Sequence, residues 1–118
     1  MLRVSGRLQK GCVHFGPRMR KFAHLFREVT GECLFPGTLN VKMDRVVPFE
    51  EHFQIPELVG DVDGWQGPVR FEICRIDRLW AYRIKGGHRD PLVADITCAQ
   101  RIPKTEGDSV ELEFFRNE

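Results

Sequence analysis

Only one stretch of this chain repeats its apolar residues with the period of a helix; almost every other patterned stretch alternates. In "PRMRKFAHLFREVTG", residues 17–31, Met19, Phe22, Phe26 and Val29 recur at three- and four-residue steps, with Ala23 and Leu25 beside them. That spacing lines one side of an α-helix. Pro17 suits a first turn, where its missing N–H costs nothing. Gly31 suits the left-handed residue after the last turn. Arg18, Arg20, Lys21, His24 and Arg27 take the remaining faces. A small domain with one helix must bury its stripe against something, so the stripe reads as core.

The rest of the pattern is two-residue alternation, the mark of strands with one face buried. "LRVSGRLQ" sets Leu2, Val4, Gly6 and Leu8 against Arg3, Ser5 and Arg7, and "CVHF" reads as a short extended piece ended by Gly16-Pro17. "TLNVKMD", "PVRFEICRIDRL", "WAYRI", "LVADITCA" and "SVELEFF" complete the set. The turn-rich run from Val46 to Gly67 reads as a long excursion with a helical turn near Phe49–Phe53. Short strands at close spacing with one helix predict a mainly β fold, a small six-stranded barrel with one inserted helix, as a single domain over 1–118.

Composition narrows the function classes. No apolar run approaches the ~18 residues of a membrane span, and the N-terminus lacks a signal-peptide core, so a cytoplasmic protein is expected. Cys12, Cys33, Cys74 and Cys98 are scattered without a C-x-x-C pair. Zinc binding is not indicated, and Cys74 and Cys98 read as small, partly buried hydrophobes. The net charge is +1, but residues 1–47 hold nine Lys/Arg against three Asp/Glu, and the remainder holds nine against fourteen. A basic first half can attract phosphate, yet no basic run argues for a dedicated nucleic-acid binder.

Within "FPGTLNVKMD", Pro36-Gly37 makes a turn and an alternating strand follows. Thr38 and Asn40, two residues apart, share a face, with their roots roughly 6.5–7 Å apart. Turn chemistry accounts for such residues beside a Pro-Gly pair. So do two oxygen donors converging on one hard cation such as Mg²⁺.

Taken in order, "VSGRLQKG", the helix ending in Gly31, "FPGTLNVKMD", "LVADITCA" and the closing "EGDSVELEF" resemble the archaeal-type CTP-dependent riboflavin kinases along nearly the whole chain. The resemblance implies a cradle-loop barrel that transfers a phosphoryl group from CTP to the 5′-hydroxyl of riboflavin, giving FMN. It implies that Thr38 and Asn40 hold Mg²⁺. It also implies that Asp95 is the base orienting the acceptor hydroxyl, in place of a longer glutamate, and contacts the flavin; an ordinary strand aspartate is the competing reading. His88 falls near a flavin-contacting position, although a solvated loop histidine is the plainer reading. Lys10, Gly11 and Arg101 fall on the nucleotide side. There the loop "QKGCVHF" holds one glycine where the family has several, and "CAQRIPK" replaces a nucleotide-contacting segment.

Trp65, Trp80 and Tyr82 offer flat surfaces for an isoalloxazine ring, or simple packing. The expected partners are riboflavin or FMN and a nucleotide, with no membrane and no nucleic acid, on a monomer or small homo-oligomer. A non-catalytic flavin- or nucleotide-binding barrel, or a protein-interaction barrel, is the alternative. A DNA-binding barrel using the basic helix face is the third reading.

Overall fold

The computed structural model describes residues 1–9, 15–33, 38–55, 68–85 and 90–117, of which 15–22 are described by backbone alone. Among them lie seven strands and one helix: β1 (Leu2–Gln9), α1 (Phe15–Thr30), β2 (Leu39–Met43), β3 (Phe53–Ile55), β4 (Val69–Ile76), β5 (Leu79–Ile84), β6 (Val93–Cys98) and β7 (Ser109–Phe114). The sheet runs β3-β4-β5-β6-β2-β1-β7, and β7 pairs back onto β4. Six strands therefore close a barrel, all neighbours antiparallel, with β3 as an extra strand. No helix among the described residues is long and apolar enough to cross a membrane.

The closure works because β4 divides one of its edges. Its first half pairs with β3 through Phe53↔Phe71, and its second half pairs with β7 through Cys74↔Phe114. In β1, Val4, Gly6 and Leu8 turn inward, as the alternation predicts. Gly6 has a steric reason: a Cβ there would lie 2.5 Å from Val41 Cγ1 and 2.9 Å from the Lys42 carbonyl oxygen. β1 can approach β2 this closely only without a side chain at that point.

Two apolar clusters result. The barrel interior holds Val4, Leu8, Val41, Met43, Cys74, Ile76, Ile96 and Leu112, among others. The second cluster joins Phe26 of α1 to Ile55, Val69, Phe71, Tyr82 and Ile84 on the outer face of β3–β5. Phe26 is fully buried and meets Phe71 and Tyr82 edge-on, at 5.2 and 5.0 Å between ring centroids. Burying such a side chain contributes about 1.5–3 kcal/mol. α1 ends as its sequence predicts: Gly31 sits at φ 77°, and its N–H donates to the Arg27 carbonyl at 2.7 Å, a left-handed cap.

The structure corrects several expectations. Phe15 opens α1 rather than ending a strand, because a proline is tolerated anywhere in a first turn; Cys12–His14 lie outside the described residues. Val29 is exposed. Val29 lies on the same side of α1 as Leu25 and Phe26 but in the last turn, beyond the residues of α1 that pack on the barrel. The expected helical turn near Phe49–Phe53 is absent; Phe53 begins β3, too short to show alternation and defined by its pairing with Phe71. The strand expected through Leu79 stops at Ile76, where Asp77 and Arg78 form a two-residue hairpin with φ of 46° and 69°. That turn lacks the usual glycine or asparagine. Finally, β4 is covered on both faces, so Glu72 is fully buried although charged, and Cys74 and Cys98 are buried rather than partly buried.

Candidate functional site

β2 sends Leu39, Val41 and Met43 toward the barrel interior, and β6 sends Ala94, Ile96 and Cys98 there. Alternation turns Asn40 and Lys42 outward from β2, and Val93, Asp95 and Thr97 outward from β6. Asn40 and Asp95 are direct cross-strand partners, as are Leu39 and Ile96. Opposed residues on one face stand about 4.5–5.5 Å apart at their Cβ atoms, so a carboxamide and a carboxylate meet side by side. The row continues to Gln9 on one flank and Ile84 on the other.

Although it faces outward, the row is covered: Asn40 is only 7% exposed and Thr97 1%. Thr38 directly precedes β2, and its Oγ1 is buried with no hydrogen-bond partner among the described residues; Asn40 Oδ1 is buried too. Burying a hydroxyl oxygen without a partner is costly, and hydroxyl, carboxamide and carboxylate oxygens are the hard donors that Mg²⁺ selects. The donor set at Thr38, Asn40 and Asp95 therefore fits a hard divalent cation.

Beside this row the C-terminus of α1 is tied to the barrel. The Thr30 hydroxyl donates to the Phe26 carbonyl at 2.8 Å, and the Glu32 N–H donates to the Thr30 hydroxyl at 3.2 Å. Tyr82, the cross-strand partner of Thr97, donates its hydroxyl to Glu32 Oε2 at 2.7 Å. Burial, and then the bond to Glu32, push the Tyr82 phenol well above its ordinary range. These contacts hold the chain on which Thr38 follows. Sequence reasoning missed Glu32 altogether, because the pairing depends on where α1 docks.

The other expected site residues are not gathered here. Arg101 is exposed in the loop after β6, lining a hollow of about 350 Å³ with Pro103, Lys104 and Thr105. Lys10, Gly11, His88 and Trp65 lie outside the described residues. Trp80 is half exposed, stacked on Phe115 at 5.6 Å and covered by the Arg75 guanidinium at 4.4 Å.

A second polar cluster stands where β4, β5 and β7 meet the segment before β3. Ligand-type atoms of Glu50, His52 and Glu72 lie within 4.8 Å of one another. Arg116 Nη1 donates to Glu50 Oε2 at 2.6 Å and also to Glu72 Oε2, and Arg116 Nη2 donates to the Pro48 carbonyl. Arg83 faces Glu72 Oε1 at 3.6 Å, and His52 Nδ1 accepts the Ile73 N–H at 3.0 Å. Two guanidinium groups already balance the two carboxylates, so a cation would have to displace them. The cluster reads as an ion network built on the buried Glu72, with Glu50 and His52 at its exposed edge.

Compared with models of known protein families, and with curated proteins, the chain matches none.

Proposed function

We propose that this barrel is a phosphotransferase that moves a phosphoryl group from a nucleoside triphosphate, CTP favoured, to the 5′-hydroxyl of riboflavin, giving FMN. The observation that carries the reading is the direct pairing of Asn40 with Asp95. The residues to which the resemblance gives the metal-binding and base roles come from two stretches separated by nearly half the chain, and Asn40 and Asp95 meet on one rung. The buried hydroxyl of Thr38, with no hydrogen-bond partner among the described residues, is a third oxygen donor two residues from Asn40 in the chain.

Thr38 and Asn40 would hold Mg²⁺, which when bound neutralises phosphate charge during transfer. Asp95 accepts the hydrogen of the acceptor hydroxyl and aims its oxygen at the phosphorus. Such base assistance contributes roughly 10²–10⁴ in rate; positioning and charge neutralisation supply the rest. Riboflavin would present its 5′-hydroxyl to Asp95.

The test is FMN formation from riboflavin and Mg²⁺ with CTP, ATP, GTP or UTP, followed by chromatography. Activity is expected with at least one donor, and Asp95→Asn is expected to lower it by at least about 100-fold while the barrel stays folded. No FMN with any donor overturns the reading and leaves the non-catalytic flavin- or nucleotide-binding barrel, which the single glycine of "QKGCVHF" favours.

A further inference from the structure

The outer face of β1 carries a groove of about 550 Å³ lined by Ser5, Arg7, Gln9, Lys42, Asp44 and Ser109. Within it, Arg7 and Lys42 are direct cross-strand partners. Two like charges placed opposite each other destabilise a sheet pair, so the arrangement costs stability unless an anion lies between them.

Neither cation is saturated. Arg7 Nη1 donates to a neutral carbonyl, that of Gly107, at 3.2 Å, and it has no carboxylate partner among the described residues. Lys42 pairs with Asp90 at 3.0 Å, but both side chains are about 40% exposed or more. An exposed pair of that kind contributes little and gives way easily. The Ser5 and Ser109 hydroxyls and the Gln9 carboxamide add neutral hydrogen-bonding groups along the same wall. Asp44 is the one carboxylate among the described lining residues, at the end of the groove away from Gln9.

The groove also has a direction. Arg7 is two residues from Gln9 on the same face of β1, and Gln9 is the cross-strand partner of Asn40. A chain of phosphates lying against Arg7 and Lys42 therefore leads past Gln9 to the Asn40–Asp95 rung.

We propose that this groove binds the polyphosphate chain of a nucleoside triphosphate, with Arg7 and Lys42 as its charged anchors. That the bound chain is the phosphoryl donor rests on the function proposed above; the anion site itself rests on the groove alone. It supplies charge on the nucleotide side implied by the resemblance, where the sequence "QKGCVHF" has a single glycine.

The test is calorimetric titration of the whole chain with tripolyphosphate, without Mg²⁺ or flavin, at low and moderate NaCl. Binding that weakens with salt is expected. Arg7→Ala and Lys42→Ala should each weaken it about tenfold, with folding verified by circular dichroism, while Arg27→Ala on the exposed face of α1 should leave it unchanged. CTP should displace tripolyphosphate. No binding by the wild type, binding unchanged in Arg7→Ala and Lys42→Ala, an equal loss in Arg27→Ala, or failure of CTP to compete each overturns the proposal. None of these readings needs catalysis, so an inactive protein that still binds tripolyphosphate through Arg7 and Lys42 would sink the kinase reading and keep the groove.

Discussion

Asn40 and Asp95 stand opposite each other across the β2–β6 ladder, and Asn40 has Gln9 on its other side. One rung thus links three strands and sets a carboxylate next to a buried carboxamide. Because register fixes this relationship, a one-residue slip of β6 would turn Asp95 into the barrel interior. The core residues Ala94, Ile96 and Cys98 forbid that slip, so the packing of the core also aligns the proposed site.

Thr38→Val separates stability from function. The buried Oγ1 has no partner among the described residues, so replacing the hydroxyl with a methyl of similar shape should raise stability by about 1 kcal/mol in Mg²⁺-free denaturant melts. The same change should lower Mg²⁺-dependent FMN formation at least about tenfold, or 1.4 kcal/mol. A variant that is less stable, or fully active, would remove Thr38 from the metal site.

Alkaline pH should weaken the fold in two stages. Burial raises the Cys74 and Cys98 thiols above their ordinary value of 9.0, and burial with the Glu32 bond raises Tyr82 above its ordinary 10.0. The native state therefore keeps protons that the unfolded chain releases. Stability is full below these ordinary values and falls as pH rises through them. Tm measured from pH 7 to 11 should decline from about pH 9. Cys74→Ala should flatten the first part of the decline and Tyr82→Phe the part above about pH 10.

The β4–β5 hairpin is open to improvement. Arg78 holds φ 69°, a left-handed conformation that costs an L-residue roughly 1–2 kcal/mol. Arg78→Gly should stabilise the protein by about 0.5–1 kcal/mol, after allowing for glycine's own entropy, as read by urea melts. Asp77 should not tolerate the same change, because its carboxylate accepts the Glu111 N–H at 2.9 Å and pairs with Lys104 at 2.6 Å.

Glu72 is fully buried between Arg83 and Arg116. Burial pulls the Arg83 guanidinium below its ordinary range, and the Glu72 charge opposes that pull. Glu72→Gln leaves two guanidinium groups facing a neutral amide, and a loss of about 3–5 kcal/mol is expected in denaturant melts. A loss under 1 kcal/mol would show the network to be dispensable.

What the sequence made legible was whatever depends on local period. β1, the helix ending at Gly31 and the inward faces of β2 and β6 all follow from alternation or a 3.6-residue stripe. The pairing of Asn40 with Asp95 was not legible, because their strands are far apart in the chain and register is set by tertiary packing. The burial of Glu72 was not legible for a related reason: alternation alone does not reveal that a strand is covered on both sides. The Asp77-Arg78 turn was hidden because neither residue advertises a positive φ, and Asp77 is held there by contacts with β7.

The seam between β1 and β7 has a consequence for how the molecule is made. Leu2 pairs with Phe114, and the ladder continues to Arg7 and Ser109. On the ribosome, β7 emerges after every other strand described here. Until then β1 can zip onto β2 along one edge while its other edge stays bare, and β4 waits beside it with half an edge unfilled. Such non-local closure is slow, and bare edges are where chains stick to one another. The nascent barrel is thus most vulnerable just before its last stave arrives, and substitutions along that seam should be felt in yield of soluble protein before they are felt in catalysis.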